Sequence, residues 1–389
     1  MWYFIRYDKH LSFIETFVLE VVAILSQNEK RVLDIIQADP FITQQDIADE
    51  LDLNRSTVAT LISGLVSKRI IKGRAYVVNK EPDIICIGGM NVDRKYVIQG
   101  NMVPETSNPV SSTLSIGGVG RNIAENLGRL EEEVTFLSVA GYDHDYEWIK
   151  EQTESFVNMD NITQLKDVST GAYSAILDHE GEMQLALADM SINDQMDLAW
   201  IKQQIALLSA AKMIIIDLNL PKETVNYIIQ LSKSKEIPLI VVPVSSPKMN
   251  RLPRDLQGVD TIIVNLDESM TFFDIPVDED CDPDELIDLW LSTGIKQVVL
   301  TSGSRETLYG HHDGVRASFQ PPQVPQVIDV TGAGDSFVGG FIFGQSQDYD
   351  YEDSVKLALT NSYHTIQSDQ TVRLNLSRTT IIEEKNELF

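Results

Sequence analysis

The sequence is poor in cysteine, histidine and basic charge, and it has no long apolar run. Its two cysteines, Cys86 and Cys281, stand far apart in 389 residues. That argues against a disulfide framework and fits a reducing cytoplasm. Cys86 lies in an apolar strand pattern and reads as a core residue. The six histidines are scattered without metal-ligand spacing. No apolar stretch reaches the ~18 residues of a membrane span, so no membrane partner is expected. Lys+Arg number 31 against 58 Asp+Glu, a formal charge of −27. Residues 26–80 hold 8 Lys+Arg and 7 Asp+Glu, so residues 81–389 carry the whole acidic excess. A field of that sign repels nucleic acid. Any nucleic-acid contact is therefore confined to the near-neutral first segment.

Residues 1–25 do not look like a signal peptide, because acids interrupt the apolar stretch and no small-residue cleavage site follows. The expectation is that part of residues 1–27 is an overextended gene start, with Leu25 encoded by a TTG start codon. The alternative is an amphipathic helix extending the next domain. Residues 28–80 form a compact unit. Val32, Leu33, Ile35 and Ile36 suit one helix face. Thr43 caps a short helix with Ile47, Ala48 and Leu51 inward, and "DLN" turns into a second helix over Arg55–Lys68. "IIKGRAYVV" reads as a small hairpin. Helix, turn, helix and hairpin resemble a winged helix-turn-helix domain. Asn54, Arg55, Ser56, Thr57 and Thr60 then begin the recognition helix, and Lys72 and Arg74 lie on the wing within reach of phosphates. DNA is the partner expected there, with packing or assembly as the other use of such a domain.

"NKEPD" (79–83) is a short polar hinge. Beyond it, short apolar runs such as "DIICIGG", "EVTFLSVAG", "AKMIIIDLN", "IPLIVVPVS", "VDTIIVNLD" and "IKQVVLTSG" alternate with helical patterns. The expected fold of residues 81–389 is an α/β domain with a mainly parallel sheet and helices on both faces. Residues 94–116 and 171–187 alternate polar and apolar instead, and are expected to form a small separate sheet. The acidic run "DEDCDPDE" (278–285) reads as a solvated loop and helix start.

The chemistry gathers on glycine turns. In "VIDVTGAGDSFVGGF", Gly332, Ala333 and Gly334 open a helix whose first turn carries Asp335. Backbone N–H groups at a helix start bind phosphate oxygens. An acid there should be repelled unless it has a task, and taking the proton of an attacking hydroxyl is such a task. A buried helix cap is the bland alternative. A second cluster, "SIGGVGRNIAENLGRL", places Gly118 before Asn122, whose carboxamide suits a polyhydroxylated ligand. Asp93 follows the first strand, at the sheet edge where ligands of open α/β folds bind.

Together these residues resemble the ribokinase-like, or PfkB, family of carbohydrate and nucleoside kinases, over roughly residues 83–375. "GGVGRNIAENLGRL" and "DVTGAGDSF" match both family signatures. The resemblance implies a ribokinase-like fold with a β lid, ATP and Mg²⁺ as cofactors, Asp335 as catalytic base and Gly332, Ala333 and Gly334 as anion hole. "NLDE", Asn265 to Glu268, matches a motif that positions Mg²⁺ and the phosphates, with Glu268 acting on the metal indirectly. Thr301 and Gly303 match the nucleotide-lining segment and Asn361 a position near the adenine.

Within the family, "TSNPV" and "ALADMSIND" resemble the pseudouridine kinase subgroup. That likeness implies transfer of the ATP γ-phosphate to the nucleoside 5′-hydroxyl. Asp93, Gly118, Asn122 and Asp189 would contact the nucleoside, with Thr106, Ser107 and Asn108 near its base. Lid sheets of relatives form dimer contacts, which implies a homodimer. Three positions depart from the family: Glu306 stands where glycine is usual, Ser302 where an apolar residue is, and Gln370 where glycine is common. In relatives the last loop and Asp329 help hold a monovalent cation, so potassium activation is left open. The expected activity is a cytoplasmic pseudouridine kinase. Its rivals are a kinase of ribose, another nucleoside or a sugar phosphate, and a transcription regulator that only senses ligand.

Overall fold

The computed structural model describes residues 25–39, 41–68, 70, 71, 84–276 and 281–389. Residues 1–24, the wing segment with Lys72 and Arg74, the 79–83 hinge and residues 277–280 lie outside the described residues. The chain divides into two compact units, Met1–Glu81 and Pro82–Phe389.

In the first unit, helices Gln27–Ala38, Gln44–Leu51 and Arg55–Ser67 bury one stripe each. Val32, Leu33 and Ile36 close a core with Ile47, Leu51, Val58, Ile62 and Leu65. Two capping boxes start the first two helices, Ser26 with Glu29 and Thr43 with Asp46. Asp52 adopts a left-handed conformation at φ 53° and makes the tight turn. Arg55, Ser56, Thr57 and Thr60 are all exposed at the start of the third helix.

The second unit is built on fourteen described strands. They are β1 (Ile84–Ile87), β2 (Asn91–Ile98), β3 (Val110–Gly117), β4 (Val134–Leu137), β5 (Val139–Gly141), β6 (Thr163–Leu165), β7 (Gly171–Leu177), β8 (Met183–Asp189), β9 (Met213–Asp217), β10 (Leu239–Val242), β11 (Thr261–Asn265), β12 (Gln297–Thr301), β13 (Thr307–His311) and β14 (Arg316–Phe319). The main sheet has the order β14-β13-β12-β11-β10-β9-β1-β4. From β4 to β12 its neighbours run parallel, and β13 and β14 add an antiparallel edge. Successive residues feed opposite cores. Ile85, Ile87, Ile214 and Ile216 belong to one, and Ile84, Cys86 and Ile215 to the other. A strand buried on both faces must be apolar throughout, which is why these segments read as continuous runs.

Two features differ from the sequence reading. "EVTFLSVAG" is not one strand: β4 joins the main sheet, and β5 leaves it to pair with β6. The β13–β14 hairpin, closed by a turn with Gly314 at φ 99°, was missing from it.

The smaller sheet has the order β3-β2-β7-β8 and begins at Asn91, three residues before the expected boundary. Its register puts Asp93 in one row with Ser115, Tyr173 and Ala188. Val92 shares the next row with Ile116, Ala172 and Asp189. Adjacent rows face opposite sides. On the Val92 side, Val110, Leu114, Leu185 and Leu187 are exposed. Among the described residues no helix is long and apolar enough to cross a membrane.

Candidate active site

The helix Ala333–Ser346 starts from Gly332, held at φ 80°. The Ala333 amide is spent on Val330 O at 3.2 Å, and the Ser336 amide makes the first helical bond, to Gly332 O at 2.9 Å. The N–H groups of Gly332, Gly334 and Asp335 find no acceptor among the described residues. Left-handed then right-handed backbone turns such N–H groups toward one point, an anion-binding nest. Ala333, expected in the anion hole, therefore contributes backbone shape rather than a free donor.

Asp335 meets the second glycine cluster across this turn. Asn122, on the helix Val119–Arg129, donates its Nδ2 to Asp335 Oδ2 at 2.7 Å. Asn122 is not the helix cap; Gly118 is, at φ 100°, and a Cβ there would stand 2.4 Å from Gly89 O. Burial pushes the Asp335 carboxyl up to about 6; the Asn122 bond and Arg121 oppose the shift, and Asp217 and Asp93 add to it. Asp93 accepts from Asn91 Nδ2 at 2.6 Å and is likewise pushed up to about 6 by burial.

Asp217, which the sequence reading passed over, holds this floor together. The carboxylate is fully buried at the end of β9. It accepts from the amides of Gly89 and Gly120, both at 2.9 Å, from the Asn219 amide at 2.8 Å and from Asn219 Nδ2 at 3.0 Å. One side chain thus fixes both the turn leading to Asp93 and the turn leading to Asn122.

Beside the Gly332 turn lies a cleft of about 630 Å³, bordered by Thr301, Gly303, Ser304, Gly334, Ser362 and Tyr363. Thr301 and Gly303 line it. Asn361 does not: it is fully buried, bonded to Asn126 Oδ1 and Ser336 O at 2.8 Å each and to Arg373 Nε at 2.9 Å. Its neighbours Ser362 and Tyr363 reach the cleft instead. Glu306 bonds Ser318 and Gln320, so the departure at this position ties β13 to β14 and its following strand end.

Asn265 and Glu268 form a capping box on the helix Leu266–Phe272, with bonds of 2.8 and 2.9 Å. Among the described residues no three His, Cys, Asp or Glu side chains group to hold a metal ion. Asp329 Oδ1 accepts from the Thr331 amide and hydroxyl at 2.9 and 2.6 Å, and Oδ2 faces Lys95 Nζ of the lid at 3.4 Å. Burial alone would raise this carboxyl, but the Thr331 bonds and Lys95 outweigh it and hold it low.

Asn108 and Asp189, two expected substrate contacts, make local hydrogen bonds. Asn108 closes its own loop, accepting from Val103 N and donating to Val103 O, both at 2.8 Å. Asp189 sits in the row of Val92, on the sheet face opposite Asp93, and accepts from Ser191 Oγ at 3.2 Å. Ser107 is exposed on the same loop as Asn108.

Residues 81–376 match the family described as pfkB family carbohydrate kinase, and residues 25–72 match winged helix-turn-helix DNA-binding. The chain is 29% identical over 336 residues to the uncharacterized sugar kinase YeiI of Escherichia coli, covering 86% of this chain and 92% of that one. It is 28% identical over 300 residues to the pseudouridine kinase of Escherichia coli, covering 77% and 95%. The ribokinase of Arabidopsis thaliana, solved with ribose and ATP, shares the fold at a TM-score of 0.69 and 17% identity, over 79% of this chain and 99% of that one. The chain belongs to the pfkB carbohydrate kinase family: it is a ribokinase-like phosphotransferase acting on a hydroxyl group, preceded by a winged helix-turn-helix region.

Proposed function

We propose that the protein transfers the γ-phosphoryl group of ATP to the 5′-hydroxyl of pseudouridine. The observation that carries this is Asp335, partly exposed in the first turn of a helix whose start has unpaired amides, within hydrogen-bond reach of Asn122. In this reading Asp93 and the Gly118 turn orient the ribose. Asp335 accepts the hydroxyl proton as the oxygen forms its bond to the γ-phosphorus, and ADP leaves. The Gly332, Gly334 and Asp335 amides receive the phosphoryl oxygens. Asn265 and Glu268 would serve a Mg²⁺ bound with the nucleotide, which would offset phosphate charge. Thr301, Gly303 and Ser304 line the nucleotide side.

The acceptor assignment is supported by the likeness to the pseudouridine kinase of Escherichia coli. The likeness to YeiI, described as a sugar kinase, supports a rival sugar acceptor. One ATP-coupled assay with pseudouridine, uridine, ribose and fructose 6-phosphate separates them. Pseudouridine should give the highest kcat/KM; ribose or the sugar phosphate ahead by tenfold would transfer the reading to the rival. Asp335→Asn should lower kcat ~10²–10⁴-fold while ATP still binds. An activity within threefold of wild type removes Asp335 from the role.

The exposed Arg55, Ser56 and Thr57 support DNA binding by the first unit, within the cytoplasm. With so few basic groups, the binding should weaken steeply with salt. Absence of binding at low salt to DNA flanking its own gene would leave the unit as an assembly element. The exposed Leu114, Leu185 and Leu187 support a homodimer through the lid.

A further inference from the structure

Arg121 is 0% exposed, a rare place for a guanidinium. Its Nε lies 3.1 Å from Asn122 Oδ1, Nη2 reaches the same oxygen, and Nη1 bonds Glu125. Glu125 is shared with Arg129, whose Nε lies 2.8 Å away. A guanidinium has donors only, so the Asn122 atom facing it must be the carboxamide oxygen. That choice turns the amide nitrogen onto Asp335. The groups around Asp335 come from three elements: Asp93 on β2, Asp217 on β9 and Arg121 on the helix Val119–Arg129. The helix Tyr351–Thr365 packs against the signature helix from another side; its His364 faces Glu384, and Asn361 is neutral. Lys95 of the lid pairs with Asp329. Arg121, itself paired with Glu125, is the cation that bears on Asp335 and Asp93, while Lys248 bears on Asp217.

We propose that Arg121 is a positioning residue for the transfer: from its buried seat it fixes the Asn122 carboxamide with its NH₂ toward Asp335 and keeps Asp335 a proton acceptor. The inference rests on Asp335 being the base. With Arg121 in place, the Asn122 oxygen is held by the guanidinium and does not turn to accept from a protonated Asp335. Without Arg121, the carboxamide can turn once Asp335 is protonated and accept its O–H, which favours the protonated form and raises the carboxyl. The burial that already raises this carboxyl acts in the same direction.

The test is the pH dependence of kcat/KM from pH 5 to 9 for the full chain, with folding checked by thermal unfolding. Arg121→Met should move the acid limb upward by about one pH unit, a ~10-fold loss at pH 5 that falls to ~5-fold at pH 6 and closes toward pH 9. Arg121→Lys keeps a cation but lacks the fork that grips both Asn122 and Glu125. It should give a smaller shift of the same sign, and if only this variant folds its profile decides. Arg121→Met should cost less in an Asn122→Ala background than in wild type, because the amide through which Arg121 acts is gone and only the direct charge is left to lose. An unmoved acid limb in a folded variant, or an equal loss at every pH, overturns the proposal. Asp335→Asn runs in parallel: an active Asp335→Asn sinks the base assignment itself, whereas an inactive one with unmoved Arg121 profiles sinks only the positioning role.

Discussion

Replacing Gly334 and Gly332 one at a time by alanine should separate ligand space from backbone need within a single turn. A Cβ on Gly334 would meet nothing within 4 Å, and this residue borders the cleft. It is the second residue of a helix, where alanine is favoured over glycine by up to ~0.5–1 kcal/mol. Gly334→Ala should therefore hold Tm or raise it by ~1–3 °C. Its methyl group enters the volume assigned to the phosphoryl oxygens, so kcat/KM should fall ~10²-fold or more, the scale of losing one oxyanion donor. Gly332 differs. It sits at φ 80°, and a Cβ there would stand 2.1 Å from the Thr371 carbonyl oxygen. The left-handed backbone costs an L-residue ~1–2 kcal/mol, and the overlap forces the turn or the Thr371 segment to move. Gly332→Ala should lower both Tm, by several degrees, and activity. Thermal unfolding beside the ATP-coupled assay reads both. A Gly334→Ala protein active within threefold of wild type would show that no phosphoryl group passes over that amide, and a Tm lowered by more than ~3 °C would refute the open-space argument.

Asp217→Asn places an NH₂ among four donors, so one donor is left facing another, at ~1–3 kcal/mol. Tm should drop by ~2–6 °C and kcat/KM ~10-fold or more as the Gly89 and Gly120 turns shift; unchanged values of both would remove Asp217 from its pinning role. Asp335 also predicts a stability difference with a definite sign. Its carboxyl is raised from 3.8 to about 6, so the stability it contributes is full below about pH 4 and lost as pH rises through about 6. Asparagine cannot ionise, so Asp335→Asn should melt above wild type at pH 8, with the gap closing by about pH 4; a lower Tm at pH 8 contradicts the raised carboxyl. Leu187→Lys on the exposed lid row should convert a dimer to monomer in sedimentation without changing the fold of the kinase unit, and an unchanged mass would exclude that face as the contact.

Much of the architecture was legible because each local signal had one cause. Six apolar runs became strands of the main sheet since strands buried on both faces cannot alternate. The glycine signatures became helix starts since glycine alone tolerates Gly332 at φ 80° and Gly118 at φ 100°. What stayed hidden depends on partners far along the chain. Asp217 looks like any acid ending a strand; its role appears when Gly89 and Gly120, distant in sequence, bring their amides to it. Arg121 reads as an exposed helix residue until packing closes over it. Asn361 carried a family resemblance, yet helix periodicity turns it inward and leaves Ser362 and Tyr363 to face the cleft. Asp189 needed the pairing register of β7 and β8, since a shift by one residue changes the face a side chain occupies.

If the acceptor is pseudouridine, these placements narrow where recognition of its base comes from. Pseudouridine and uridine carry the same ribose, so Asp93 and Asn122 treat them alike. Discrimination needs a group that meets the extra ring N–H of the C-glycoside, because a site built to pair with it leaves a polar atom unpaired when uridine binds. Asn108 has both ends of its carboxamide committed to its own loop, and Asp189 belongs to the other face of the lid. The row that holds Asp93 contains Ser115 on one side and Tyr173 on the other, both with hydroxyls able to donate and accept. Ser115 and Tyr173 share the face of Asp93, the residue assigned to the ribose. Selectivity for pseudouridine over uridine would then rest on the lid, and selectivity for nucleosides over free sugars on how far that row extends past Asp93.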